Sequence, residues 1–167
     1  MIKINVAEIK KRLTGSESFQ YTLTPAQLDL LPEDAPLEGN IEVKGTISNG
    51  GDVLLLQAEE KFVCHGTCAR CLQDVRMDLT AHVEERYYPE GTAGLEEDAF
   101  TYQFDVVDVT DALRESLLLA IPARVLCKPD CKGICPVCGA DRNVTDCHCD
   151  TRSIDPRLEA LKALLEK

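Results

Sequence analysis

Ile2, Ile4 and Val6 alternate with polar neighbours as in a short strand, and Val6, Ile9 and Leu13 then recur at helical spacing as far as Gly15. Phe19, Tyr21 and Leu23 alternate again before Pro25, and three prolines between 25 and 36 predict a surface connection with a helical turn around Gln27 to Leu31. From 37 to 88 the period is two. Ile41, Val43 and Ile47 share one face, and Asn49-Gly50-Gly51-Asp52 reads as a hairpin turn, because Asn and Gly accept positive φ at little cost. Residues 53–62 form the returning strand, and Val75, Met77, Leu79, Ala81 and Val83 predict a third long antiparallel strand.

The stretch 89–99, rich in Gly and Glu, reads as a mobile loop leading to a short strand at 101–104. Val109, Ala112, Leu113, Ser116, Leu117 and Ala120 then fall on one helical face, with Asp108 or Thr110 as cap and Pro122 as stop. From residue 124 the periodicity vanishes among six cysteines. Asp155-Pro156 opens a short tail in which Leu158, Leu161, Leu164 and Leu165 share a face. The expected fold is therefore α+β: an antiparallel sheet with a central amphipathic helix in residues 1–123, and a C-terminal zinc knuckle with a short helix in 124–167.

Charge narrows the function. Eighteen Lys and Arg against twenty-nine Asp and Glu leave a net charge of −11 over 167 residues, which excludes a general coat on nucleic acid and confines any RNA contact to a local patch. Aromatic residues make up 5% and Trp is absent, so a broad base-stacking platform is excluded as well. No apolar run approaches a membrane span, and residues 1–12 lack the continuous apolar stretch of a secretion signal, so a cytoplasmic location is expected. In a reducing cytosol, nine cysteines point to metal rather than to disulfides.

The later cysteines run Cys127, Cys131, Cys135, Cys138, Cys147 and Cys149, and Cys135-Pro136-Val137-Cys138-Gly139 is a strong knuckle signal for zinc. Cys147 and Cys149, or Cys127 and Cys131, could complete its four ligands, with His148 as an outside candidate; six thiols exceed four places. So thiol-rich a set, in a segment poor in apolar residues, suits a structural ion that supplies folding energy. The earlier group, Cys64-x3-Cys68-x2-Cys71, offers a second thiol site at Cys68 and Cys71. It could bind a second metal with His65, lend two sulfurs to the later site, act as a redox pair or form a structural corner. Arg70 between those cysteines, and Arg124, Lys128, Lys132 and Arg142 beside the later ones, are the candidate RNA contacts. Asp105, Asp108 and Asp111 read as cap and helix-dipole partners, and His82 as a surface residue. With no phosphate-cradling Gly loop, nucleophile elbow or HExxH pair, the chain is expected not to be an enzyme.

Cys68-Ala69-Arg70-Cys71-Leu72, the 108–121 helix ending at Pro122, and the run from Leu126 through Cys138-Gly139 resemble the YceD family, as do Cys147-His148-Cys149-Asp150 and Ile154-Asp155-Pro156-Arg157-Leu158. Those later cysteines are similar to the family's Cys-rich branch. The resemblance implies a large ribosomal RNA subunit accumulation protein of bacteria or plastids, non-enzymatic, with large-subunit ribosomal RNA, a pre-ribosomal particle or a ribosomal protein as partner. It places the family's Cys-x-Arg-Cys on Cys68, Arg70 and Cys71. A thiol redox or zinc-storage protein using Cys68 and Cys71 is the alternative.

Overall fold

The computed structural model describes residues 1–33 and 35–150; the helix expected from residue 155 lies outside them. The chain divides into two compact units. Unit 1 comprises Met1–Gly66 and Arg76–Ala123, and unit 2 comprises Thr67–Val75 and the chain from Arg124. Where the sequence suggests a single division after residue 123, Thr67–Val75 thus goes with the later stretch.

Unit 1 is dominated by sheet. After β1 (Lys3–Asn5) and the short helix α1 (Ala7–Lys10) come β2 (Ser16–Leu23), β3 (Leu37–Asn49), β4 (Leu54–Thr67), β5 (Asp74–Pro89), β6 (Thr101–Tyr102) and β7 (Val106–Asp108). Strands β2 to β6 form one sheet in sequence order, and β1 pairs with β7 in a two-stranded one. The β2–β3 and β3–β4 pairs are antiparallel, whereas β6 runs parallel to β5. Phe19, Tyr21 and Leu23 stand opposite Gly45, Val43 and Ile41, so alternation puts one face of both strands into the core. At Gly45 the backbone passes so close to its neighbours that a Cβ would meet Phe19 Cζ at 2.6 Å and Ala58 Cβ at 2.7 Å.

The helix α2 (Thr110–Ala120) buries Ala112, Leu113 and Leu117 in a core shared with Ile4, Val6, Leu28, Ile41, Leu56 and Phe62, and leaves Leu119 85% exposed. Asp108 Oδ1 accepts hydrogen bonds from Thr110 N (3.0 Å) and Thr110 Oγ1 (2.6 Å), and Ile2 N donates to Thr110 Oγ1, joining the helix start to β1.

Three expectations are corrected. The 25–36 connection is not wholly superficial, because a 3-10 turn over Pro25–Leu28 delivers Leu28 to the core and Leu30 and Ala35 are also buried. Helix α1 stops at Lys10 and leaves Leu13 83% exposed: the Asn49 side-chain amide donates to the carbonyls of Ile9 and Arg12, satisfying the helix end where the chain turns toward β2. Strand β7 was not anticipated, and it is too short for alternation to reveal.

One polar group in the core stands apart. Glu60 on β4 is fully buried opposite Val43; its Oε2 accepts a hydrogen bond from Ser116 Oγ of α2, while its Oε1 has no hydrogen-bond partner among the described residues. Burial raises its carboxyl pKa to about 7, against the lowering effect of Ser116.

Candidate metal centres

Unit 2 is built from two turns of the same kind. In Cys68-Ala69-Arg70-Cys71-Leu72 the Leu72 amide donates to the Cys68 carbonyl at 2.9 Å, and in Cys135-Pro136-Val137-Cys138-Gly139 the Gly139 amide donates to the Cys135 carbonyl at 2.9 Å. Both closing residues are left-handed, with φ of 74° at Gly139 and 62° at Leu72. Glycine takes that conformation freely, whereas a side chain adds about 1 kcal/mol of strain. Since Leu72 is 63% exposed, little packing offsets the strain. Replacing Leu72 by Gly is therefore expected to stabilise the first turn by about 1 kcal/mol, read as a higher urea midpoint for exposure of the Cys68 and Cys71 thiols. A lower midpoint would mean that the leucine side chain contributes more than its backbone strain removes.

Each turn presents two sulfurs, and each is completed by a second pair. Cys68, Cys71, Cys127 and Cys131 form one group and Cys135, Cys138, Cys147 and Cys149 another, the four sulfurs of each lying within 4.8 Å of one another. In the first group Cys71 Sγ is 3.5 Å from Cys127 Sγ, and Cys68 Sγ is 3.8 Å from Cys131 Sγ. A tetrahedron with metal–sulfur bonds of about 2.3 Å has edges of about 3.8 Å, so this spacing fits one four-coordinate ion. Cys68, Cys71 and Cys131 are buried beside Val75 and Leu126, with Cys127 half-buried; in the second group only Cys135 is buried.

Hydrogen bonding sorts the thiols before any cation binds. Backbone N–H groups of Cys71 and Cys127 pull the Cys68 thiol down to about 6, and those of Cys138 and Val137 do the same for Cys135. At Cys131 burial opposes ionisation, but the side-chain amide of Asn143 and the Gly133 N–H outweigh it and lower the pKa. Cys127 is pushed up to about 12 by burial and its sulfur neighbours, and Cys149 to about 12 by Cys138 and Cys147. Four sulfurs so close repel one another as thiolates, and a divalent cation removes that repulsion by displacing the remaining protons.

The six later cysteines thus do not share one site: Cys127 and Cys131 join Cys68 and Cys71, and the other four stand together. Cys68 and Cys71 are grouped with Cys127 and Cys131, apart from the knuckle of Cys135 and Cys138. His148 belongs to neither group and lies 3.7 Å from Asp146. Cys64 sits in the core of unit 1, and His65 bonds Glu38 at 2.7 Å, so this pair makes no metal site among the described residues. Asp105 pairs with Lys10 and Asp111 with Arg114, while Asp108 accepts from Thr110. Arg70 Nη1 donates to the Cys131 carbonyl at 2.7 Å, which makes it a strut of the first group. Arg124, Lys128, Lys132 and Arg142 are exposed and enter no ion pair among the described residues. Where the family resemblance implies Asn-x-Asn after the knuckle glycine, this chain has Asp141-Arg142-Asn143, and it is the fold that brings Asn143 Nδ2 to 3.4 Å from Cys131 Sγ.

No helix among the described residues is long and apolar enough to cross a membrane. The chain is similar over nearly its whole length to protein YlbN of Bacillus subtilis, 27% identical over 172 aligned residues that cover 99% of this chain and 98% of that protein. It is 33% identical to Rv2926c of Mycobacterium tuberculosis over 104 residues, covering 60% of this chain and 50% of that one. A 49-residue stretch, 29% of this chain and 17% of the relative, is 37% identical to the chloroplastic large ribosomal RNA subunit accumulation protein YCED homolog 1 of Zea mays. No solved structure matches. The family model described as large ribosomal RNA subunit accumulation protein YceD matches residues 56–165, a span that contains both cysteine groups, and the chain belongs to that family.

Proposed function

We propose that this chain is a non-enzymatic, cytoplasmic factor for accumulation of large-subunit ribosomal RNA, acting on that RNA or on a pre-ribosomal particle through a unit 2 ordered by two zinc ions. The observation that carries the reading is the family match across both cysteine groups. All-thiolate sets of four favour zinc and leave no open coordination position for a reacting water, which supports a structural rather than a catalytic ion. Bound there, zinc would supply cross-linking of the chain and nothing more.

Charge distribution supports unit 2 as the contact surface. Unit 1 carries nine Lys and Arg against twenty-one Asp and Glu, whereas unit 2 carries nine against eight. Each zinc tetrathiolate adds about −2, so phosphate contact rests on individual exposed cations rather than on net charge. Lys128, Lys132 and Arg142 are the contact candidates, while Arg70 is engaged by Cys131 and would act chiefly by shaping the turn.

Depleting the protein in cells is expected to lower mature large-subunit ribosomal RNA relative to small-subunit RNA; an unchanged ratio with unchanged precursor levels defeats the proposal. A Lys128→Ala, Lys132→Ala, Arg142→Ala chain that retains its metal is expected to lose most crosslinking to ribosomal RNA. Retained crosslinking at these positions would move the contact elsewhere.

A further inference from the structure

We propose that Asn143 couples the two cysteine groups, holding a sulfur of the first from the loop that the second closes. The inference rests on both groups holding metal. Asn143 lies between Cys138 and Cys147, ligands of the second group, yet its Nδ2 lies 3.4 Å from Cys131 Sγ of the first. Its orientation is fixed by three further bonds. Nδ2 donates to Asp141 Oδ1 at 2.8 Å, the Asn143 backbone N–H donates to the same oxygen at 2.8 Å, and Asn143 Oδ1 accepts from Lys132 N at 2.9 Å. A flipped amide would set N–H against N–H and oxygen against carboxylate, so the hydrogen-bond network determines that nitrogen faces sulfur. Both amide hydrogens are then used, one on Asp141 and one on Cys131.

The loop reaches Cys131 because it folds back on the segment joining the two groups. Residues 131–135 carry a ligand of the first group at one end and of the second at the other. Arg142 N donates to the Gly133 carbonyl at 2.9 Å, Cys135 N donates to the Ala140 carbonyl at 2.8 Å, and Ile134 bridges Asp141. A metal held by Cys138 and Cys147 fastens both ends of the loop and so keeps the Asn143 N–H on the Cys131 sulfur. Releasing that metal frees the loop and withdraws the bond. Such outer hydrogen bonds to ligands change metal affinity by about 10- to 100-fold, and linkage requires the effect to be reciprocal.

The test uses the full chain with zinc, read by chelator competition. Emptying the second group with Cys147→Ser and Cys149→Ser is expected to weaken zinc at the first by at least about tenfold, and Cys68→Ser with Cys71→Ser to weaken the second by the same factor. Asn143→Leu keeps the bulk and removes the N–H; in that background, emptying one group is expected to change the other by less than about twofold. In the cobalt-loaded chain, Asn143→Leu is expected to move the first group's sulfur-to-cobalt band to longer wavelength, because losing an N–H to sulfur raises the energy of the sulfur lone pairs. Asn143→Asp, which keeps the acceptor for Lys132 N, gives the same cycle should the leucine chain fail to load. Two metals bound with no mutual effect, or an unmoved cobalt band, overturn the coupling alone; a chain that binds no metal overturns both the coupling and the zinc reading.

Discussion

Chelating the zinc proposed for the two cysteine groups at neutral pH is expected to unfold unit 2 and to spare unit 1. Among the described residues, the buried apolar cluster of unit 2 consists of Cys68, Cys71 and Cys131 with Val75, Leu126 and Cys127 packed against it, too little grease to hold those residues together. Structural zinc contributes about 10–16 kcal/mol of apparent binding free energy at pH 7, which here would be folding free energy. The two units carry separate reporters. Eight of the nine cysteines belong to the metal groups and the ninth, Cys64, lies in the core of unit 1. All four tyrosines, at 21, 87, 88 and 102, lie in unit 1. Chelation should therefore make eight thiols reactive while the tyrosine emission and strand circular dichroism persist. Thiols that stay protected after complete metal removal would show that unit 2 orders itself.

Replacing Glu60 by Gln is expected to remove most of a stability loss that the native protein suffers between acid and neutral pH. The folded-state pKa is raised to about 7 from 4.5, so below about 4.5 the side chain is protonated in both the folded and the unfolded chain and exerts no penalty. As pH rises toward 7 the unfolded chain ionises first, and by about pH 7 the difference amounts to about 3 kcal/mol against the folded state. In Glu60→Gln the Ser116 hydroxyl still has an oxygen to donate to, and no charge develops. The variant should lie within about 0.5 kcal/mol of the native chain at pH 4.5 and exceed it by about 2–3 kcal/mol at pH 8, by urea unfolding followed through the tyrosines. Equal pH slopes for the two chains would mean that Glu60 ionises in the folded state as readily as in water.

The strands were legible because alternation is a strong signal where one face is buried: the 41–47 and 75–83 patterns fall within β3 and β5, and Asn49-Gly50 stands at the turn between β3 and β4. Elements set by long-range contact were not. Strand β7 exists because β1 is there to pair with it, and α1 ends early because Asn49, some forty residues away, takes its carbonyls. Among the cysteines, the knuckle at Cys135 and Cys138 was read from its spacing, and Cys147 and Cys149 were among the partners weighed. Spacing could not show that Cys127 and Cys131 close with Cys68 and Cys71, since that pairing spans chain separations of 56 and 63 residues. A formula of six thiols for four places hid the simpler answer of eight thiols for eight.

That long separation also orders events while the protein is being made. Cys68 and Cys71 leave the ribosome with the β4–β5 hairpin, but Cys127 and Cys131 follow only after β5, the whole of α2 and Pro122 have been synthesised. Until then the early pair is a half-finished clasp on a nascent chain, able to hold an ion by two sulfurs at most, whereas Cys135, Cys138, Cys147 and Cys149 emerge almost together. The late-appearing site is the one that can load at once, and the clasp that joins Cys68 and Cys71 to Cys127 and Cys131 is fastened only after β5 and α2 have emerged.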